Sequence, residues 1–350
     1  MVNDIMTSMK NRVCFITVYF GILPNTFNSF LDSCAWNSSF DWLIINDNEI
    51  NNIEYANIHF VRMNFEEFLV RLKKSSGIDI SNIQPYKVCD YRPAFGEIFS
   101  DLLSDYEFWG IVDNDMLLGC LDDFITKNLL NNFDKIFTMG HLSLVRNNQQ
   151  CNDVYKFNTA RSRNYKDVFS NKENFIFDEC CGFTEKYEDL GFRVFLERYC
   201  ADVYSRKNRL FVTNMKRFSS IQPNNSYTEF CVDKDYEHQC FILDNGKIYK
   251  IYIQNGCVLK KEYMYIHKYA FNIEKKLFAT SQYLLTVKGF EIDNLFFKKL
   301  EANTLTREDI DKVNRAKTIG DSLYEIIFRL RRTIRKYRKI FFPRRDEINL

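Results

Sequence analysis

The stretch Phe108–Trp109–Gly110–Ile111–Val112–Asp113–Asn114–Asp115–Met116–Leu117–Leu118–Gly119 decides how the chain is read. An apolar run, Phe108–Val112, ends in Asp113–Asn114–Asp115, and a second apolar run follows at once. A short continuous apolar run of this kind reads as a buried strand. Such a strand has little reason to place two carboxylates at its end, because buried charges are costly unless paired or bound to a cation. Two carboxylates spaced one residue apart at the mouth of a parallel-type strand can hold a hard divalent cation such as Mg²⁺ or Mn²⁺. The strand end is also where open α/β sheets bind nucleotides. A turn with two solvated acids would leave the same bare spacing, so the surrounding sequence carries the decision.

Outward from this strand, the first half alternates strands with helices. Val13–Phe20 is an apolar run closed by Gly21, and Pro24 opens a helix through about Ala35. Asp41–Ile45 and Asn57–Arg62 are further strands, with a helix over Glu66–Lys74 after the second. Pro93 begins a helix to about Leu103, Asp122–Leu130 is helical, and Lys135–Val145 reads as one strand. The expected fold class is α/β: a Rossmann-like, mostly parallel sheet with helices on both faces. Further on, Asn245–Gly246 and Asn255–Gly256 each separate alternating runs, a strong hairpin signal, and predict a β-meander to about Ile266. Thr306 and Asp309 have capping-box spacing and open a C-terminal helical part. The expected division is one domain over residues 1–300 and a helical, basic segment over 301–350.

At 350 residues, with 46% hydrophobic and 27% charged content, the chain is globular and general disorder is excluded. The 11 cysteines are scattered without a Cys-x-x-Cys pair, which reads as reduced thiols in a cytosolic protein. His59, His141, His238 and His267 show no zinc spacing with them. Met1–Lys10 lacks the apolar core of a signal peptide, and no apolar run is long enough to span a membrane.

The net charge of +2 conceals an asymmetry. Arg329, Arg331, Arg332, Arg335, Lys336, Arg338, Lys339, Arg344 and Arg345 form a stretch without acids, leaving 39 bases against 46 acids elsewhere. Leu323, Ile326, Ile327, Leu330, Ile334, Tyr337 and Phe341 mark one face of a helix through the same segment, which stops at Pro343. A basic amphipathic helix of this kind fits an anionic membrane surface. A terminal helix docked on the domain would show the same pattern. No nucleic-acid motif occurs elsewhere, and nucleic acid is not an expected partner.

Several polar residues fall at the predicted strand ends beside Asp113 and Asp115. The Tyr19 ring could stack on a nucleobase, and Asp47 could accept from a base or a ribose hydroxyl. In Cys89–Asp90–Tyr91–Arg92–Pro93, Arg92 could pair with a diphosphate or with Asp90. His141 and Arg146, on Gly140–Asn147, are candidates to line a sugar pocket or hold phosphate. Asp178 and Glu179 follow an aromatic stretch and could serve as a general base, although acids also suit a helix N-terminus. Gly182 would let backbone approach an acceptor.

Taken in order, Tyr19–Phe20–Gly21 with Pro24–Asn25, Cys89–Gly96, Trp109–Asp115 and Gly140–Asn147 resemble a little-characterised family of bacterial GT-A-type glycosyltransferases linked to surface-polysaccharide assembly. The resemblance covers roughly residues 12–270. It implies a GT-A-like fold, a nucleotide-diphosphate sugar donor such as UDP-galactose or UDP-glucose, and Mn²⁺ or Mg²⁺, with Asp113 and Asp115 supplying metal or ribose contacts. It also implies transfer to a saccharide acceptor, and in many such enzymes a late His completes the metal site. His267 is the candidate here, although Lys268–Tyr269–Ala270 departs from the family's usual basic pair. With the basic tail, the expectation becomes a lipid-linked acceptor and a cytoplasmic enzyme peripheral on the inner face of the cell membrane. The alternative is a non-catalytic sugar- or nucleotide-binding subunit of a membrane-associated polysaccharide assembly.

Overall fold

Strand parity sorts the core into two layers. Along β1 (Val13–Tyr19), Cys14 and Ile16 enter one core cluster and Val13 and Phe15 the other. In β2 (Asp41–Asn46), Leu43 and Ile45 join the first and Trp42 and Ile44 the second. Successive side chains of a strand point to opposite faces, so a continuous apolar run needs cover on both. Helix α1 (Phe27–Trp36) covers one face through Phe27, Phe30 and Leu31. Helix α2 (Phe65–Ser76) covers the other through Phe68 and Leu72. A capping box between Asn64 and Glu67 starts α2, and left-handed Gly77 ends it.

The computed structural model describes residues 11–50, 55–80, 83–179, 182–204, 209–214, 231–232, 239–267, 280–286 and 289–314. Its main sheet adds β3 (Ile58–Arg62), β4 (Phe108–Val112), β6 (Lys135–Met139), β7 (Leu142–Arg146) and β8 (Val194–Phe195), in the order β3-β2-β1-β4-β7-β6-β8. β1 to β4 pair in parallel, as do β6 and β8, while β7 runs antiparallel to both β4 and β6. The mostly parallel α/β sheet with helices on both faces is therefore what the chain builds.

Lys135–Val145 is not the single strand that the sequence predicts. Its apolar run folds back at Gly140–His141 into the hairpin β6–β7, a turn that nothing in its composition marks. The helix expected over Pro93–Leu103 is likewise broken into the pieces Arg92–Ala94, Phe95–Ile98 and Ser100–Leu103. That over Asp122–Leu130 resolves into a tight turn, Leu121–Asp123, and a helix, Lys127–Asn132, capped by Thr126.

A second sheet sits at the carboxyl end of β4. It has the order β11-β10-β9-β15-β5, from β5 (Met116–Leu118), β9 (Cys200–Tyr204), β10 (Arg209–Asn214), β11 (Cys231–Val232) and β15 (Tyr265–His267). The meander is present as β12 (Gln239–Asp244), β13 (Lys247–Gln254) and β14 (Cys257–Tyr263), extended by β16 (Gln282–Thr286) and β17 (Gly289–Glu291). Its turns have φ of 51° and 74° at Asn245–Gly246 and 52° and 77° at Asn255–Gly256, the doubly left-handed geometry that Asn-Gly favours. One face, with Phe241, Leu243 and Tyr263, packs against Leu117 and Ile266 of the second sheet. The other, with Cys240 and Ile242, is covered by Phe296, Phe297, Leu305 and Ile310. The last two flank or lie on the helix Arg307–Asn314, whose Thr306–Asp309 capping box forms as read. No helix among the described residues is long and apolar enough to cross a membrane. The basic segment Leu323–Phe341 lies outside the described residues.

Candidate active site

The end of β4 is a junction of three chain segments. The Asp113 amide donates to the carbonyl of His141 at 3.0 Å, so the β6–β7 turn lies directly against the acidic pair. Past Asn114, β5 pairs antiparallel with β15, bringing His267 opposite Met116 and beside Asp115. One ligand atom from each of Asp113, Asp115 and His267 lies within 4.8 Å of the other two. His267 Nε2 is 3.6 Å from Asp113 Oδ2 and 3.5 Å from Asp115 Oδ1. Two carboxylates and an imidazole suit a divalent cation such as Mn²⁺, with the ligand atoms already converged, so the donor set fits the metal that the sequence implies.

Arg92 supports this cluster from one side. Its guanidinium donates to Asp113 Oδ1, to Asp178 Oδ2 at 2.8 Å and to the Gly140 carbonyl at 3.1 Å. Burial raises the Asp113 carboxyl, but Arg92 and His267 outweigh it and hold the group below the usual carboxylate range. Burial raises Asp115, with Asp113 adding to the shift and His267 opposing it. Burial also pushes Asp178 up to about 6 despite Arg92. Glu179 rises to about 7 through burial, reinforced by Asp178 and Asp113. These acids lie so close to the β6–β7 turn that a Cβ at Gly140 would meet Glu179 Cγ at 2.4 Å and Asp178 Oδ2 at 2.6 Å.

His141 stacks on His267, ring centroids 4.2 Å apart and planes 3° from parallel, with Tyr265 edge-on at 5.4 Å. Burial and the neighbouring His267 hold His141 well below the ordinary histidine range. Neither ring nitrogen has a hydrogen-bond partner among the described residues. At the carboxyl ends of the neighbouring parallel strands, Tyr19 ends β1 and Asp47 follows β2. Asp47 accepts the Gly21 amide at 3.0 Å and an Asn48 amide at 3.2 Å, which organises the loop after β1.

Three expected placements differ. Asp90 does not reach the ligand edge or pair with Arg92. It is fully buried, accepting from Lys87 and from two backbone amides, Phe175 and Phe177. Arg146 is at the opposite end of the sheet, because β7 is antiparallel and sets it beside Phe108 at the start of β4. There it binds Asp134 and the carbonyls of Leu130 and Phe133. Gly182 is closed in by its own loop, where a Cβ would meet the Phe177 carbonyl at 2.3 Å.

The sequence also gave no notice of Arg198, which donates to Thr138 Oγ1 at 2.9 Å and is near enough to disfavour a charge on His141. Nor did it mark Lys135, buried over the Phe183 ring and donating to the Phe137 carbonyl. Burial lowers that ammonium to about 7, with Glu185 and Asp178 opposing.

No curated protein matches the chain. Among solved structures, it is similar to a protein of Desulfovibrio desulfuricans G20 described as a nucleotide-diphospho-sugar transferase, at 10% identity over 54% of this chain and 80% of that one, with a TM-score of 0.30. It is similar to the galactosyltransferase LgtC with donor and acceptor sugar analogues, at 10% identity over 65% and 88%, TM-score 0.31. An active-site mutant of LgtC gives 12% identity over 63% and 85%, TM-score 0.32. Likeness at these scores decides neither fold nor reaction. The model of a family of unknown function, DUF6625, matches residues 15–294, and the chain belongs to that family.

Proposed function

We propose that the chain is a metal-dependent glycosyltransferase that moves a hexose from a nucleotide-diphosphate sugar, UDP-galactose or UDP-glucose, to a saccharide acceptor. The observation that carries the reading is the convergence of Asp113, Asp115 and His267 within 4.8 Å at the carboxyl end of a parallel strand. Held there, Mn²⁺ or Mg²⁺ would supply positive charge for the diphosphate that leaves. Tyr19 and Asp47 receive the nucleoside, the ring by stacking and the carboxylate by hydrogen bonding. Arg92 fixes Asp113 and Asp178 against each other, so the acids that flank the donor keep one arrangement. Glu179 takes the proton from the attacking acceptor hydroxyl if the reaction inverts. A base poised near 7 matches that task. A retaining reaction needs no base there.

A non-catalytic binding subunit gains nothing from carboxyls whose burial disfavours their charge, which weighs against the alternative. The finer reading is a lipid-linked acceptor in surface-polysaccharide synthesis at the inner face of the cell membrane. It rests on the basic, amphipathic sequence of Leu323–Arg345.

The test is thermal unfolding with UDP, UDP-galactose and UDP-glucose, with and without Mn²⁺. A ligand at 100 times its dissociation constant stabilises by about 2.7 kcal/mol. Asp115→Ala is expected to keep the fold, remove the Mn²⁺-dependent part of the shift and abolish transfer. Transfer at the wild-type rate in that variant sinks the proposal.

A further inference from the structure

Ile176 adopts φ of 55°, in the left-handed region. For a β-branched residue this conformation is strained, and it persists only where the surroundings enforce it. The enforcing group is one carboxylate. The Phe175 amide donates to Asp90 Oδ2 at 2.9 Å and the Phe177 amide to Asp90 Oδ1 at 2.9 Å, so the two oxygens grip the peptides on either side of Ile176. Asp90 is 0% exposed, and Lys87, itself buried, donates to Oδ2 at 2.7 Å and to the Glu173 carbonyl. Hydrogen bonds to a charged acceptor in a dry environment are among the stronger ones. The residues directly after the clamp are Asp178 and Glu179, and the Glu179 amide closes back on the Ile176 carbonyl at 3.2 Å. The segment that grips the backbone before the acids also grips the first acid, through Arg92 and Asp178.

We propose that Asp90, with Lys87, is a positioning residue that holds Ile176 left-handed and thereby delivers Asp178 and Glu179 against Gly140. Its effect on turnover rests on the reading of Glu179 as the proton acceptor; its effect on the loop does not.

Asp90→Asn keeps the shape but replaces one accepting oxygen with a donor, so one of the two gripping amides loses its partner. Ile176→Gly removes the strain, since glycine takes positive φ freely. The readouts are amide hydrogen exchange over residues 173–179, affinity for UDP with Mn²⁺, and Mn²⁺-dependent hydrolysis of UDP-galactose and UDP-glucose. Asp90→Asn is expected to speed exchange by about tenfold or more and to slow turnover by roughly 10- to 100-fold, the usual cost of losing a supporting partner. UDP–Mn²⁺ affinity is expected to stay within about twofold, because the ligand cluster has other supports. Adding Ile176→Gly to Asp90→Asn is expected to restore protection and several-fold of the turnover.

Exchange in Asp90→Asn equal to wild type, UDP–Mn²⁺ affinity falling in step with turnover, or a double variant no better than Asp90→Asn, overturns the proposal. If Asp90→Asn does not fold, Ile176→Gly is compared with the double variant. Near-equal exchange supports the clamp, and a gap of about tenfold overturns it. If the wild type turns over neither UDP-sugar, the enzymatic reading fails while the exchange comparison still decides the clamp.

Discussion

At the scale of single residues, Glu179 makes opposing demands on activity and stability. Its carboxyl is raised from 4.5 to about 7, chiefly by burial, so the folded state holds the proton more tightly than the unfolded chain does. The stability this contributes is fully present below pH 4.5 and is lost as pH rises through 7. Glu179→Gln removes that loss. With chelator present, urea unfolding should show the variant gaining on the wild type across this window, by at most about 3 kcal/mol. The same variant should lose about 10²- to 10⁴-fold in turnover if Glu179 is the base, with UDP–Mn²⁺ binding kept. Equal turnover would return Glu179 to a structural role. Asp113 and Asp115 were legible because charge at the end of an apolar run is anomalous, whereas His267 was reached only through the resemblance, which implies a late His. Asp90 misled because two of its partners, the Phe175 and Phe177 amides, lie far along the chain, and local sequence carries no sign of them.

Among elements, the β6–β7 hairpin sets the geometry of the site. Its Gly140 gives room for both acids, and Gly140→Ala would force a methyl into Glu179 and Asp178. Overpacking of this kind costs about 1–3 kcal/mol, and we expect turnover to fall at least tenfold as the acids move. Urea unfolding and steady-state rates check both; an alanine variant with wild-type turnover would show that the acids can shift without consequence. This hairpin is also the element that the sequence hid. Ile136–Met139 and Leu142–Val145 are equally apolar, and Gly140–His141 lacks the Asn-Gly signal that made the meander turns readable. Missing the turn reversed the direction of β7, which is why Arg146 was expected near Asp113 and lies at the far end. The parallel strands were legible for the opposite reason: burial on both faces leaves only one kind of sequence.

For the whole molecule, the open question is what the basic C-terminal sequence adds. Truncation after about residue 318 removes all nine clustered bases and none of the site residues. The shortened chain should fold and bind UDP–Mn²⁺ as before, because Leu305 and Ile310 remain to complete the core beside the meander. Full-length protein should sediment with anionic vesicles and be released by salt, since such attraction is screened within about 8–10 Å at 0.1–0.15 M. Truncated protein should stay in the supernatant; full-length protein that ignores vesicles at low salt ends the membrane reading. The pairing of β5 with β15 has a bearing on synthesis as well. Asp113 and Asp115 emerge from the ribosome early, but His267 arrives only after most of the chain has been made, and its strand must then find β5. A cation captured by all three would register that the late sheet has docked correctly, so a chain stalled before β15 would carry the acids yet lack the means to load the metal.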